Sequence, residues 1–336
     1  MAGRIDAFQG KLPKVDLKDR KILTLLTEDS RLTLNQMASR VMLSRDAVRY
    51  RIQRLQNLGV IQRFVPVLDF GQFGYSRFHL FLQLREMSEE QHQRIFKEFT
   101  AYPEVVSVIE YSDNYDVELV VLAKGAVDFD SFFSRVMNAH HGVIDDYVIL
   151  ERVREYCNRF LPQEFQALKR PKTIPRRREQ QRKVDETDVR ILEMLGEDAR
   201  RSYFDIAEKV GLSSDAVSYR VKRLRNGVAP QLTAMTNLSA LGYNWYTLLV
   251  LLRFWDAKHE SKFRQIVEQH PNVMMAMKSI GEWNLLLYIA AKSQSDFHQI
   301  VKGIRAELQD VIRTYETLLG YREHVYKAMP PGLSHD

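Results

Sequence analysis

Arg45, Arg49, Tyr50 and Gln53 follow Ser44 in a stretch whose apolar positions are Ala47, Val48, Ile52 and Leu55. At 3.6 residues per turn the apolar set faces inward and the polar set outward, with Arg51 and Arg54 at the flank. Outward arginines have the forked donors that take guanine O6 and N7 bidentately, and flanking arginines suit phosphate oxygens. Arg63, a few residues on, extends the same positive surface. Downstream, Ser214, Ser218, Tyr219, Arg220, Lys222 and Arg223 repeat the spacing, with serines where the first stretch has Arg45 and Arg49. These fourteen side chains are the candidate contacts to double-stranded DNA. Because the two sets differ, a bound site is expected to have unlike halves.

Three short helices must position each set. In Leu17 to Leu26, the residues Leu17, Ile22, Leu23, Leu25 and Leu26 share a face, and Asp16 is a plausible N-cap. Leu34 to Val41 forms a second helix, with Met37, Ala38 and Val41 inward. A tight turn through Met42-Leu43 leads to the third, capped by Ser44 and ended by Gly59. Val60, Ile61 and Val65 suggest a short strand pair, a wing carrying Arg63. The pattern is a winged helix-turn-helix, whose third helix enters the major groove.

The pattern occurs twice. Val15 to Leu55 aligns with Val184 to Leu224 at an offset of 169 without a gap, with about 20 of roughly 41 positions identical. After one deletion near Leu58 the offset is 168 to the end of the chain, pairing Gly74-Tyr75 with Gly242-Tyr243 and Asp128-Phe129 with Asp296-Phe297. Between the helix-turn-helix copies, Arg77 to Arg85 alternates as a strand, Glu89 to Ala101 is a helix, and Val105 to Tyr111 and Tyr115 to Leu122 are strands. A helix capped by Asp128 and a strand from Val143 to Val153 complete a β-α-β-β-α-β order, the ferredoxin-like arrangement, which the second copy repeats. The fold class expected is α+β, internally duplicated: two winged helix-turn-helix domains and two ferredoxin-like βαββαβ domains. The division expected is 1–64, 65–161, a basic linker at 162–183, 184–232 and 233–336. The two open sheet faces are expected to pair within the chain as a pseudo-dimer, and a second chain could add to it.

Composition sets the surroundings. The 336 residues are 45% hydrophobic and 27% charged, with a net charge of +6. That is ordinary for a globular chain and excludes disordered and collagen-like classes. Eight basic residues against Glu179 lie between Lys169 and Lys183, so the excess positive charge sits in the linker, where it could attract a polyanion. One cysteine, Cys157, excludes an internal disulfide and a multi-cysteine zinc site. The greasiest run, Tyr246 to Phe254, is about half a membrane span. A cytoplasmic, nucleoid-associated protein without a membrane partner is expected.

Catalytic signatures are absent: no phosphate-cradling glycine loop, no His-Glu-x-x-His and no nucleophile elbow. His140-His141 is read as a solvated helix end, and Trp245, Trp255 and Trp283 as core or interface. No metal, no cofactor and no enzymatic activity is expected.

The chain resembles the Lrp/AsnC family of prokaryotic feast/famine regulators over nearly its whole length, twice. The carriers are Val15-Asp16…Asp19…Ile22-Leu23…Leu26, Leu43-Ser44-Arg45-Asp46-Ala47-Val48…Arg51-Ile52…Arg54-Leu55…Gly59-Val60-Ile61, Leu241-Gly242-Tyr243, His270-Pro271-Asn272-Val273 and Gly281-Glu282-Trp283-Asn284. The resemblance implies sequence-specific DNA binding and transcription regulation. It also implies an amino acid or similar small metabolite as effector, bound near a Gly-x-x-Asp loop. The first copy keeps the aspartate (Asp113 to Asp116) and the second the glycine (Gly281 to Asn284). Asp113, Asp116, Gly281 and Asn284 are the candidate effector loop. One enzyme class shares the architecture, the sirohaem decarboxylases built from two Lrp-like halves. That alternative would need arginines and histidines facing a tetrapyrrole pocket, and Arg77, His79, Arg85 and Arg253 are its candidates.

Overall fold

The computed structural model describes residues 3–6, 11–168 and 184–330. The basic stretch read as a linker lies mostly outside the described residues. The chain divides into two units, one holding both ferredoxin-like copies with residues 3–6 and 11–12, the other holding both helix-turn-helix copies.

In the helix-turn-helix unit the first copy contributes α1 (Leu17–Glu28), α2 (Leu34–Val41), α3 (Arg45–Asn57) and strand β1 (Ile61–Val67). Asp16 caps α1 in a reciprocal box with Asp19, Thr33 caps α2 with Gln36, and Ser44 caps α3. Ile22, Leu23, Leu26, Met37, Val41, Val48 and Leu55 form the core, while Leu17, read from its spacing as inward, is exposed at the first turn. Met42 ends α2 with φ +56°, where the second copy has Gly211 at φ +70°. A side chain in that conformation is strained, and Met42 is exposed, so it has no packing role to lose. Replacing Met42 by glycine is expected to stabilise this unit by about 0.5–1 kcal/mol, read from denaturant midpoints.

The strand after each third helix does not fold back into a wing of its own copy. β1 pairs antiparallel with its counterpart β6 (Gln231–Thr236) from the second copy. Pro230 immediately precedes that strand and so costs no ladder donor. Each first helix then packs on the other copy's strand. Ser30 N–H donates to Leu232 O at 2.7 Å and Ala199 N–H to Phe64 O at 2.9 Å. Arg31 reaches Ala199 O at 2.8 Å, Arg200 reaches Ser30 O at 2.7 Å, and Arg225 pairs with Asp29 at 2.9 Å. The crossed contacts make one body of two modules that are each too small for a large core.

In the other unit, β2 (Ser76–Leu84), α4 (Glu89–Ala101), β3 (Val105–Tyr111), β4 (Val117–Ala123), α5 (Ala126–His140) and β5 (Ile144–Asn158) form the first ferredoxin-like copy. The second is β7 (Asn244–Leu252), α9 (Ala257–Gln269), β8 (Val273–Gly281), β9 (Leu285–Ala291), α10 (Gln294–Glu307) and β10 (Ile312–Tyr326). α6 (Glu186–Glu197), α7 (Tyr203–Val210) and α8 (Ser214–Arg225) belong to the second helix-turn-helix. The sheets join edge to edge into a closed eight-stranded barrel of order β10-β3-β4-β2-β5-β8-β9-β7. The 15-residue strands β5 and β10 make both seams, so Cys157 packs in the second copy's helix layer and Val325 in the first's.

Closure buries both faces along most of β2, β3, β4, β7, β8 and β9, while the long strands β5 and β10 keep exposed stretches. On β2, Phe78, Leu80 and Leu82 pack under the helices, while Phe81 joins Tyr111, Leu150, Trp245, Tyr288 and Met277 inside the barrel. Two local expectations change. Gly125, without a side-chain cap, begins α5, and Asp128 instead accepts from Lys124 N–H at 2.8 Å. His140 is buried against Phe99, with ring centroids 5.1 Å apart, and only His141 is solvated.

Candidate nucleic-acid interface

α3 projects a polar face from the compact body. Ser44, Arg45, Asp46, Arg49, Tyr50 and Gln53 are exposed, Tyr50 to 68%. An exposed tyrosine of that size beside arginines has the apolar body and polar tip suited to a base edge. Arg49 sits 3.5 Å from Asp46, a solvated pair that is easily exchanged for a stronger anion. On α8, Tyr219 and Lys222 are exposed, and Ser214 and Ser218 are half-buried.

The flanking arginines, expected at phosphates, have partners within the chain. Arg51 donates to Asp16 at 2.8 Å and to Asp19 at 2.7 Å, and Arg54 donates to Asp19 at 3.0 Å and to Lys14 O at 2.8 Å. Arg220 repeats this with Asp185 and Asp188 at 2.7 and 2.8 Å, and Arg223 with Asp188. Asp19 and Asp188 are fully buried. Partial burial works against ionisation of Asp16, yet the Asp19 N–H and Arg51 hold its carboxyl below the usual range; Arg220 and the Asp188 N–H do the same for Asp185. The four arginines therefore bolt each third helix to the start of its first helix. They fix the angle at which the outward face is presented. Arg63, expected on a wing, lies half-buried at the irregular first step of the β1–β6 ladder.

The candidate effector loops are also occupied by the chain itself. Asp116 accepts from Leu84 N–H at 2.6 Å, and Asn284 Oδ1 accepts from Leu252 N–H at 2.9 Å. These equivalent side chains end β2 and β7. Asp113 accepts from Leu319 N–H. Gly281 has φ +138°, and a Cβ there would strike Ile149 O on β5. The glycine of the second loop thus answers to a barrel seam, and the aspartate of the first to a strand end.

Inside the barrel lies a polar cluster that alternation along β2 marks only in part. His79 Nδ1 bonds Glu118 at 2.6 Å, Tyr111 donates to Glu118 at 2.7 Å, Tyr288 also donates to it, and Tyr111 meets Thr247 at 2.8 Å. Arg77 and Arg152 lie beside Glu155 at 3.8 and 3.0 Å. Of the decarboxylase candidates, Arg77 and His79 meet here, whereas Arg85 is exposed and paired with Asp145, and Arg253 is exposed. Burial pushes the His79 imidazole below its ordinary value, against the opposing pull of Glu118. A histidine held neutral in the folded state takes up its proton more readily when unfolded. Its contribution is complete above the unfolded value near 6.5 and is lost as pH falls below it. Melting temperatures of the native chain should drop more steeply than those of His79→Gln between about pH 6.5 and 5. Parallel curves would contradict the assignment.

Among the described residues no group of three or more His, Cys, Asp or Glu is placed to hold a metal ion, and no helix is long and apolar enough to cross a membrane.

Comparison with known proteins adds identity to this geometry. Residues 184–225 match the AsnC-type helix-turn-helix domain, and residues 15–62 match a winged helix-turn-helix DNA-binding domain. The HTH-type transcriptional regulator PH1916 of Pyrococcus horikoshii is 30% identical over 135 residues, 39% of this chain and 89% of that protein. The regulatory protein AsnC of Haemophilus influenzae is 24% identical over 150 residues, 44% of this chain and 98% of its own. A near-complete regulator therefore fits within less than half of this chain. Among solved structures, the siroheme decarboxylase NirDL, in complex with an iron-uroporphyrin III analogue, matches with a TM-score of 0.60 at 13% identity, covering 93% of this chain and 94% of its own. That likeness is one of fold.

Proposed function

The chain belongs to the Lrp/AsnC family of transcription regulators, and from that premise we propose that it binds double-stranded DNA sequence-specifically through the exposed face of α3. The observation that carries the reading is the outward set Arg45, Arg49, Tyr50 and Gln53 on a helix whose flanking arginines are internally bolted. Affinity comes from arginine and phosphate charge, and discrimination from Arg45 and Arg49 at base edges. α8 offers Ser214, Ser218, Tyr219 and Lys222 in the equivalent place and makes the weaker second contact. The joined helix-turn-helix pair acts as a pseudo-dimer on a site with unlike halves. Selection from a pool of random duplexes tests this. A non-palindromic consensus is expected, with sharper base preference in one half, and a perfect palindrome would refute the unlike halves.

A second reading has two observations in its favour: the near full-length likeness to a siroheme decarboxylase, and the meeting of Arg77, His79 and Arg152 inside the barrel. On that reading the chain takes up a polycarboxylate tetrapyrrole. The packed aromatic interior and the outlying Arg85 and Arg253 weigh against it. Titrating the purified chain with an iron-uroporphyrin and following its visible absorption separates the two readings. A saturable spectral shift lost in Arg77→Ala would favour the enzyme.

A further inference from the structure

The two ferredoxin-like copies each place a glutamate at the same bulged position of their long strand, Glu155 on β5 and Glu323 on β10, at the repeat offset of 168. In the first copy the barrel strands supply its counter-charge, through Arg152 at 3.0 Å and Arg77 at 3.8 Å. In the second copy both arginines are gone. Trp245 stands at the position equivalent to Arg77, and Gly320 at that equivalent to Arg152. A Cβ on Gly320 would come within 2.7 Å of Trp245 and 3.2 Å of Ile5, so the vacated space has been taken by an indole and by the N-terminal segment.

That segment carries the missing cation. Arg4 lies over Glu323 with Nη2 to Oε1 at 2.9 Å and Nε to Oε2 at 3.2 Å, a bidentate fork. Its Nη1 approaches Met275 Sδ at 2.9 Å. The guanidinium carbon sits 5.1 Å from the ring centres of both Trp245 and Tyr326. Ser107 donates to Glu323 Oε1 at 2.7 Å and fixes the carboxylate. Glu323 is 2% exposed and Arg4 6%. The Trp245 indole N–H is buried with no acceptor among the described residues. A buried carboxylate faced by two aromatic rings is a receptor for a planar cation, and its occupant enters from outside the barrel strands.

We propose that this chamber of Glu323, Ser107, Trp245, Tyr326 and Met275 is a binding site for small guanidinium compounds, and that Arg4 is a tethered occupant in competition with them. A tethered group competes at an effective concentration of order mM, so free ligand binds the native chain more weakly than a chain lacking the Arg4 side chain. The inference stands apart from the DNA reading, because its readouts need no duplex.

The test uses the full chain, with agmatine and methylguanidine as probes. Arg4→Ala leaves Glu323 buried without its counter-charge, so the melting temperature should fall by about 5 °C or more. Either probe, at about ten times its dissociation constant, should restore about 3 °C, while equal concentrations of urea or sodium chloride should not. Adding Glu323→Gln to Arg4→Ala should abolish the restoration. In the unsubstituted chain, agmatine should speed hydrogen exchange at residues 3–6, saturably and at concentrations about tenfold or more above those that act on Arg4→Ala. The saturable rise in exchange by itself needs no variant and decides the matter should Arg4→Ala fail to fold. No restoration in a folded Arg4→Ala, equal restoration in the double variant, or unchanged exchange in the native chain would each overturn the site.

Discussion

Replacing Arg49 by alanine should weaken binding to the selected duplex by about 1–3 kcal/mol, roughly five- to 150-fold, and flatten base preference at a single position. The side chain is exposed on the outward face of α3, held among the described residues by a solvated pair with Asp46. Its removal leaves no buried group unsatisfied, so stability should stay within about 0.5 kcal/mol. Competition binding against singly substituted duplexes, alongside thermal melts, separates the two effects. Full retention of both affinity and preference would remove Arg49 from the interface.

Asp19→Ala should do the reverse. Asp19 is fully buried, accepts from both Arg51 and Arg54, and closes the capping box with Asp16. Its loss removes the reciprocal half of the capping box, the acceptor of the Asp16 N–H, and leaves two half-exposed guanidinium groups without their shared carboxylate. A buried pair broken from one side costs about 3–5 kcal/mol, but the arginines can turn to water, so about 2–3 kcal/mol is expected in this unit. Asp188→Ala should cost a similar amount in the second copy. Urea denaturation followed by circular dichroism measures both. DNA binding by Asp19→Ala at a temperature where it is folded should weaken on all duplexes alike, because α3 loses its fixed angle and not a base contact. A loss below about 0.5 kcal/mol would mean that the bolt is ornamental.

The internal repeat already held the distinction between these two groups of arginines. Asp16, Asp19, Arg51 and Arg54 recur unchanged as Asp185, Asp188, Arg220 and Arg223, whereas Arg45 and Arg49 become Ser214 and Ser218. Side chains that must satisfy one another inside a module keep their identity in both copies. Side chains that face outward are free to diverge. Helical periodicity placed Arg51 and Arg54 at the flank, and charge alone then suggested phosphate. The missing element was their buried partner, since an aspartate in a helix's first turn reads simply as a favourable dipole contact.

The elements themselves were legible, because the helices carry their apolar faces and, apart from α5, their side-chain caps in local sequence. The pairing of β1 with β6 was not. A short strand after a helix looks the same whether it turns back on itself or crosses to a distant copy, and only the joined pair satisfies both sets of backbone groups. Barrel closure was hidden for a similar reason. Alternation along β2 marks Arg77 and His79 as a polar face that solvent would normally cover, yet the second sheet covers it. The effector loops are ambiguous in another way: Asp116 and Gly281 fit a ligand motif and also fit a strand end and a tight seam, and the same residue types serve both. Arg4 carried no signal at all, for no periodic pattern surrounds it.

The most direct test measures fluorescence anisotropy of the selected duplex and of a random duplex of equal length, for the native chain and for a variant with Arg45 and Arg49 both replaced by alanine, at one fixed salt concentration. The native chain should prefer its selected site by about a thousandfold or more, and the variant should lose most of that preference while keeping its melting temperature. Equal preference in the two proteins, or no preference in the native one, would contradict the assignment of α3 to a DNA groove.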